Sequence, residues 1–186
     1  MSYRKSNTDE LLRAWDPLVH ALTLIDEEHR MVHDGAGFQG DVIQSGLADS
    51  GTGNVLIVTG SKSVHLRALD VAAGNTPVQT DFYEGATTSA DGTALPSLIN
   101  VNRVSLKTPL TAMYYGATVT DNGTKIATTL VPVTAKDAGA VQSSFGEELI
   151  LKANTKYLIT LTNNSGGPIS WGFKCFFYEI PTGYAD

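Results

Sequence analysis

The sequence predicts an all-β fold, a β-sandwich of jelly-roll type behind a short helical or extended N-terminal arm. Three observations carry that prediction. From Asn54 onward, short apolar or alternating runs are separated by Gly, Asn, Asp and Ser at intervals of roughly 8–12 residues, the rhythm of strands and turns. After residue 35 no stretch repeats its apolar residues at a convincing helical spacing. Near the C-terminus Ile169, Trp171, Phe173, Cys175 and Phe177 alternate with Ser170, Gly172, Lys174 and Phe176, so one strand face carries large rings that a second sheet must cover. The organisation is then an arm and connection over residues 1–35 and one sandwich over residues 36–186.

In the arm, Leu11, Trp15, Leu18 and Leu22 fall at i, i+4, i+7 and i+11, one stripe of a helix that Pro17 either breaks or starts afresh. That stripe needs a surface to be buried on, its own sandwich or a neighbouring subunit. "NVLIVTG" has five apolar or β-branched residues in a row, as in a strand covered on both faces, and "SVHLRALDV" follows closely enough to be its hairpin partner. "TPVQTDFYE" sets Val78, Thr80 and Phe82 against Gln79, Asp81 and Tyr83, a half-buried strand. In "AMYYGATVTDNGTKIATTLVPV" the Asn122-Gly123 pair predicts a hairpin with positive φ at both turn positions. "EELILKANTKYLITLTNNSGG" places Tyr157, Ile159 and Leu161 on one face, which brings the total to roughly eight strands.

Composition narrows the function. Thirteen Lys and Arg stand against 19 Asp and Glu, a net charge of −6 with no basic run, so the phosphate-neutralising surface of a nucleic-acid binder is missing. The single cysteine, Cys175, excludes an internal disulfide and fits assembly in a reducing cytoplasm. "MSYRKSNTDELLRAW" lacks the apolar segment of a secretory signal, and no run approaches the ~20 apolar residues of a membrane span. The triplets at Asn122 and Asn163 therefore read as turns rather than glycosylation sites.

The densest ionisable cluster is "IDEEHRMVHDG". His29 and His33, four apart, share a face whether the segment is helical or extended, and Asp26, Glu27 and Asp34 could complete a metal shell. No H-E-x-x-H motif or third committed ligand accompanies them, so a hydrogen-bonded connection between arm and sandwich is expected, with no metal and no cofactor. Neither G-x-S-x-G nor a phosphate-binding G-x-x-x-x-G-K-[ST] loop occurs. Pairs such as Glu147 with Glu148, or Asp81 with Glu84, arise in any acid-rich chain, and no enzyme is expected. Tyr83, Tyr114, Tyr115, Trp171 and Tyr178 could form a sugar-stacking platform or serve as core and interface. The stretch "GATTSADGTALPSL" lacks any group for proton transfer beyond Asp91 and reads as a long contact loop. After it, Asn100, Asn102 and Arg103 offer donors suited to carbonyls or carboxylates of another chain.

Three stretches together, "IDEEHRMVHDG", "FYEGATTSADGTALPSLINVNR" and "EELILKANTKYLITLTNNSGG" followed by an aromatic "FYE", resemble a group of tailed-bacteriophage virion proteins, the capsid decoration or head-associated components. The resemblance spans about residues 24–180 and leaves the arm outside it. It implies a non-enzymatic β-rich subunit, a homotrimer made in the host bacterial cytoplasm and attached to the capsid exterior, with the major capsid protein and its own copies as partners and no nucleic acid or membrane. No motif marks the capsid contacts. The expected contact residues are Leu11, Trp15, Leu18 and Leu22 of the arm, His29 and His33, and Asn100, Asn102 and Arg103. The rival expectation is a tail-fibre or receptor-binding sandwich that stacks host glycans on Tyr83, Tyr114 or Tyr115.

Overall fold

In a computed structural model the described residues are 15–16, 21–22, 27–75, 77–131, 141–144 and 148–179. The elements in chain order are β1 (Trp15–Asp16), β2 (Ala21–Leu22), α1 (Glu27–His33), β3 (Gly37–Leu47), β4 (Thr52–Val58), β5 (Val64–Ala73), β6 (Val78–Glu84), β7 (Thr87–Ala90), β8 (Thr93–Ala94) and β9 (Ile99–Asn100). There follow β10 (Ala112–Tyr115), β11 (Thr118–Asp121), β12 (Thr124–Val131), β13 (Val141–Ser144), β14 (Leu149–Leu151), β15 (Lys156–Asn163) and β16 (Ile169–Glu179).

Two large antiparallel sheets dominate. One has the order β12-β6-β15-β4-β10-β8; the other runs β13-β5-β16-β3-β9, with β14 also pairing β5. Stripped of β8, β9 and β10, these are β12-β6-β15-β4 and β13-β5-β16-β3, in which successive strands β3, β4, β5 and β6 alternate between sheets. That is the winding of a jelly roll. The sandwich expectation holds, and the facing sides supply the core. Val55, Ile57, Phe82, Tyr157, Ile159 and Leu161 of one sheet close over Trp171, Phe173, Cys175 and Phe177, the ring-bearing face of β16, with Phe38 and Leu69 beside those rings on the neighbouring strands of the same sheet. A bulge where β5 passes β16 skips one residue, so that both Leu66 and Leu69 turn inward.

The run "VLI" in β4 is buried on both sides, as its composition requires. Val55 and Ile57 enter the main core, while Leu56 packs outside it with Leu158, Ala86 and Ala117. What covers that outer side is a small ribbon, β7 paired with β11. The stretch expected to be a long contact loop is thus partly structured: β7 forms the ribbon, β8 extends a sheet along β10, and Leu95 is buried in the core.

Three other expectations are corrected. β4 and β5 are not hairpin partners, because the Gly60-Ser61-Lys62 link carries the chain from one sheet to the other. Asn122-Gly123 joins β11 of the ribbon to β12 of the sheet rather than two paired arms. Only Gly123 has positive φ, +80°, and the Gly123 amide donates to Asp121 Oδ1 at 2.9 Å, an Asx turn in place of the expected two-residue hairpin. In the arm, Trp15 and Leu22 belong to β1 and β2, paired antiparallel with Trp15 opposite Leu22, and not to a helical stripe. Pro17 gives the physical reason, since its ring disfavours the α region for the residue before it. Leu11 and Leu18 lie outside the described residues.

Candidate functional site

The helix α1 lies on the outer side of the β16 sheet, where Met31 and Ala36 pack on Tyr178. Its C-terminus is a Schellman motif. Gly35, at φ +68°, donates its amide to Val32 O at 3.0 Å, and the Ala36 amide reaches Met31 O at 2.9 Å. A Cβ at Gly35 would stand 2.2 Å from Ser105 Oγ, so glycine is demanded twice, by its φ and by the loop behind it.

That loop, 101–110, satisfies the carbonyls that the helix end leaves open. Asn100 Nδ2 donates to Gly35 O at 2.9 Å and Lys107 O at 3.0 Å, Asn102 Nδ2 to His33 O at 3.0 Å, and Lys107 Nζ to Asp34 O at 2.6 Å. The cation of Lys107 also sits where a helix C-terminus favours positive charge. The asparagines read as donors for another chain therefore meet carbonyls of their own chain. Asn100 is buried, and Arg103 Nη1 donates to Asn100 O at 3.4 Å while its residue remains exposed. Val104 at 89% and Leu106 at 97% exposure stand in water on the same loop.

On α1 the two histidines meet. Their Nε2 atoms lie 2.9 Å apart and the rings are edge-on with centroids at 4.5 Å, both exposed. Asp34, expected as a possible metal ligand, instead faces Arg30 at 3.8 Å. Asp26 lies outside the described residues and the Glu27 side chain is likewise undescribed. Among the described residues no three His, Cys, Asp or Glu gather as a metal cage.

Three carboxylates elsewhere, Asp81, Glu84 and Glu148, are held in internal networks. Asp81 accepts from Gln79, Tyr83 and Thr128 and pairs with Lys125 at 2.9 Å. Burial opposes its charge, yet the bonds from Thr128, Lys125 and Gln79 outweigh that and hold the carboxyl below its usual range. Glu84 takes Lys152 Nζ at 2.6 Å and Tyr157 OH at 2.9 Å, and Lys152 with Tyr157 keeps it low. The Tyr157 phenol is pushed up to about 12, first by burial. Glu148 accepts from His65 Nδ1 and Tyr178 OH, both at 2.6 Å, and from Arg67 Nη1 at 2.8 Å. Burial raises its carboxyl, but these donors together bring it below the ordinary value.

These arrangements suit structure better than chemistry. A glycosidase acid needs a raised carboxyl, whereas Asp81 and Glu84 are both lowered and point into separate networks. Glu148 orients His65 as an acid orients a catalytic base, and among the described residues the buried His65 Nε2 has no hydrogen-bond partner. The Cys175 thiol is pushed up to about 12 by complete burial, the state of an inert packing group. Tyr83 and Tyr114 pack under the β7–β11 ribbon, Tyr115 packs on the main core, and Trp171 and Tyr178 are buried. An open groove of about 550 Å³ crosses the outer side of the β16 sheet, where Gln39, Asp41, Asp70 and Lys174 line it beside Ile43 and Ala72.

Sequence reasoning missed the Asp81 and Glu148 networks. Their partners come from positions as distant as 128 and 65, and no local spacing announces them. No protein-family model matches the chain, and no curated protein matches it significantly.

Proposed function

We propose that the chain is a non-enzymatic structural protein of a tailed-bacteriophage virion, a decoration or cement protein that coats the capsid exterior as a homotrimer bound to the major capsid protein. One observation carries the reading. A jelly roll, an architecture used by viral capsid domains among others, ties Asp81, Glu84 and Glu148 to donors of its own chain and, among the described residues, leaves its most exposed apolar side chains, Val104 and Leu106, on a loop joined to the C-terminal end of α1 by three hydrogen bonds, to His33 O, Asp34 O and Gly35 O. Such a surface offers contact area held in place by internal hydrogen bonds. On a lattice, modest contacts repeated many times add through avidity.

The test is quantitative mass spectrometry of purified virions of the phage that encodes the chain. A copy number matching the capsid lattice supports the reading; a few copies per particle overturns a shell-wide role. A variant lacking residues 1–23 tests the arm separately. It is expected to keep the sandwich folded and to lose capsid attachment or trimer stability, and unchanged attachment would move the anchor to the loop of Val104 and Leu106.

A further inference from the structure

We propose that His29 and His33 form a two-ligand site for a divalent transition metal ion such as Zn²⁺, exposed on α1 and open on its remaining coordination positions. The geometry departs from the expectation that these residues only connect arm to sandwich. Two imidazoles at i and i+4 can turn their rings in many directions, and on a helix exposed to water nothing compels both Nε2 atoms toward one point. Here they converge to 2.9 Å, with ring planes at 60°.

At that separation one nitrogen must donate and the other accept, so a single proton occupies the space between two lone-pair sites. A metal ion replaces that proton. With Zn–N bonds of about 2.0–2.1 Å and a tetrahedral angle, the two nitrogens would stand about 3.3 Å apart, which small rotations of the rings supply. Neutral imidazole is a ligand of choice for zinc, copper and nickel.

The platform is also pre-organised. Met31, between the two histidines, is buried against Tyr178, and the backbone just beyond them is tied at His33 O, Asp34 O and Gly35 O by Asn102, Lys107 and Asn100. Binding then costs little ordering of the helix. With two protein ligands, water or a donor from another molecule fills the other positions, and the ion exchanges freely rather than being locked in a structural cage.

The test is calorimetric titration of the full, untagged chain with ZnCl₂, alongside His29→Gln and His33→Gln. One ion per chain is expected for the parent, and each variant should weaken binding by at least about tenfold, as losing a ligand does more than losing a ligand's support. Circular dichroism establishes that the exposed substitutions leave the fold intact. A parent that binds no zinc, or either variant binding as the parent does, overturns the proposal. The outcome is independent of the virion reading, which stands or falls on copy number.

Discussion

Asp81 offers the sharpest test of how the outer side of the β6–β12 sheet is held. Its carboxylate, 8% exposed, gathers Gln79, Tyr83, Thr128 and Lys125, all of them donors. Asp81→Asn keeps one oxygen for Lys125 and Tyr83 and turns an amide toward Thr128, whose hydroxyl can rotate and accept. The change therefore removes little beyond the charge. With Lys125 half in water, that amounts to about 1 kcal/mol. Asp81→Ala removes every acceptor, but the stranded donors are partly exposed and regain water, so the loss is about 2–3 kcal/mol rather than the sum of four charge-assisted bonds.

The pH dependence separates charge from shape. The folded-state value of Asp81 lies below its unfolded value of about 3.9, so its stabilisation is fully present above that pH and is lost as pH falls through the folded value. Urea denaturation followed by tryptophan fluorescence, at pH 7 and stepwise down to about pH 3, should show the Asn deficit shrinking toward zero below about pH 4 while the Ala variant retains a neutral remainder. The reasoning fails if Asp81→Ala is as stable as the parent at pH 7, or if the Asn deficit is undiminished at the acid end.

Two further outcomes follow from single side chains. Asn163, fully buried, donates to Leu47 O, Ala48 O and Gly167 O and accepts from the Ser165 amide, so Asn163→Ala should cost about 2–4 kcal/mol with an unchanged urea m-value, measured by equilibrium unfolding. Cys175 should resist a thiol reagent in the native protein at pH 8 and react at once in denaturant; rapid native labelling would contradict its burial and its raised thiol value.

How far the sequence carried the fold depends on which forces placed each element. The alternation in β16 and β15 was legible because one sheet face must be apolar and the pleat imposes a period of two. Which strands pair was not. β4 and β5 are adjacent in sequence and lie in opposite sheets, a choice made by the closing of both sheets over one core and invisible in the short link of residues 59–63. The ribbon of β7 and β11 escaped for a related reason. Its strands "TTSA" and "TVTD" are short and polar, and they are strands only because each supplies the other's backbone partners while Ala86 and Ala117 cover Leu56. The helical stripe of the arm failed at Trp15 because spacing alone ignores what Pro17 does to its neighbour.

The histidine pair shows the boundary from the other side. Spacing placed both rings on one face under either conformation, and that was correct. What spacing could not supply is convergence, which depends on α1 being pressed to the sheet through Met31 and closed by Gly35, whose glycine is required by a serine 70 residues further along the chain. A motif read from sequence gives the donors, and the tertiary contacts decide whether those donors meet. For His29 and His33 they do, at 2.9 Å, and a change that loosens the helix end should therefore act on the pair without touching either ring. Asn102→Ala removes the bond to His33 O and leaves both imidazoles in place. It is expected to weaken zinc binding by less than either histidine substitution, and a loss as large as theirs would mean that the loop itself ligates the ion.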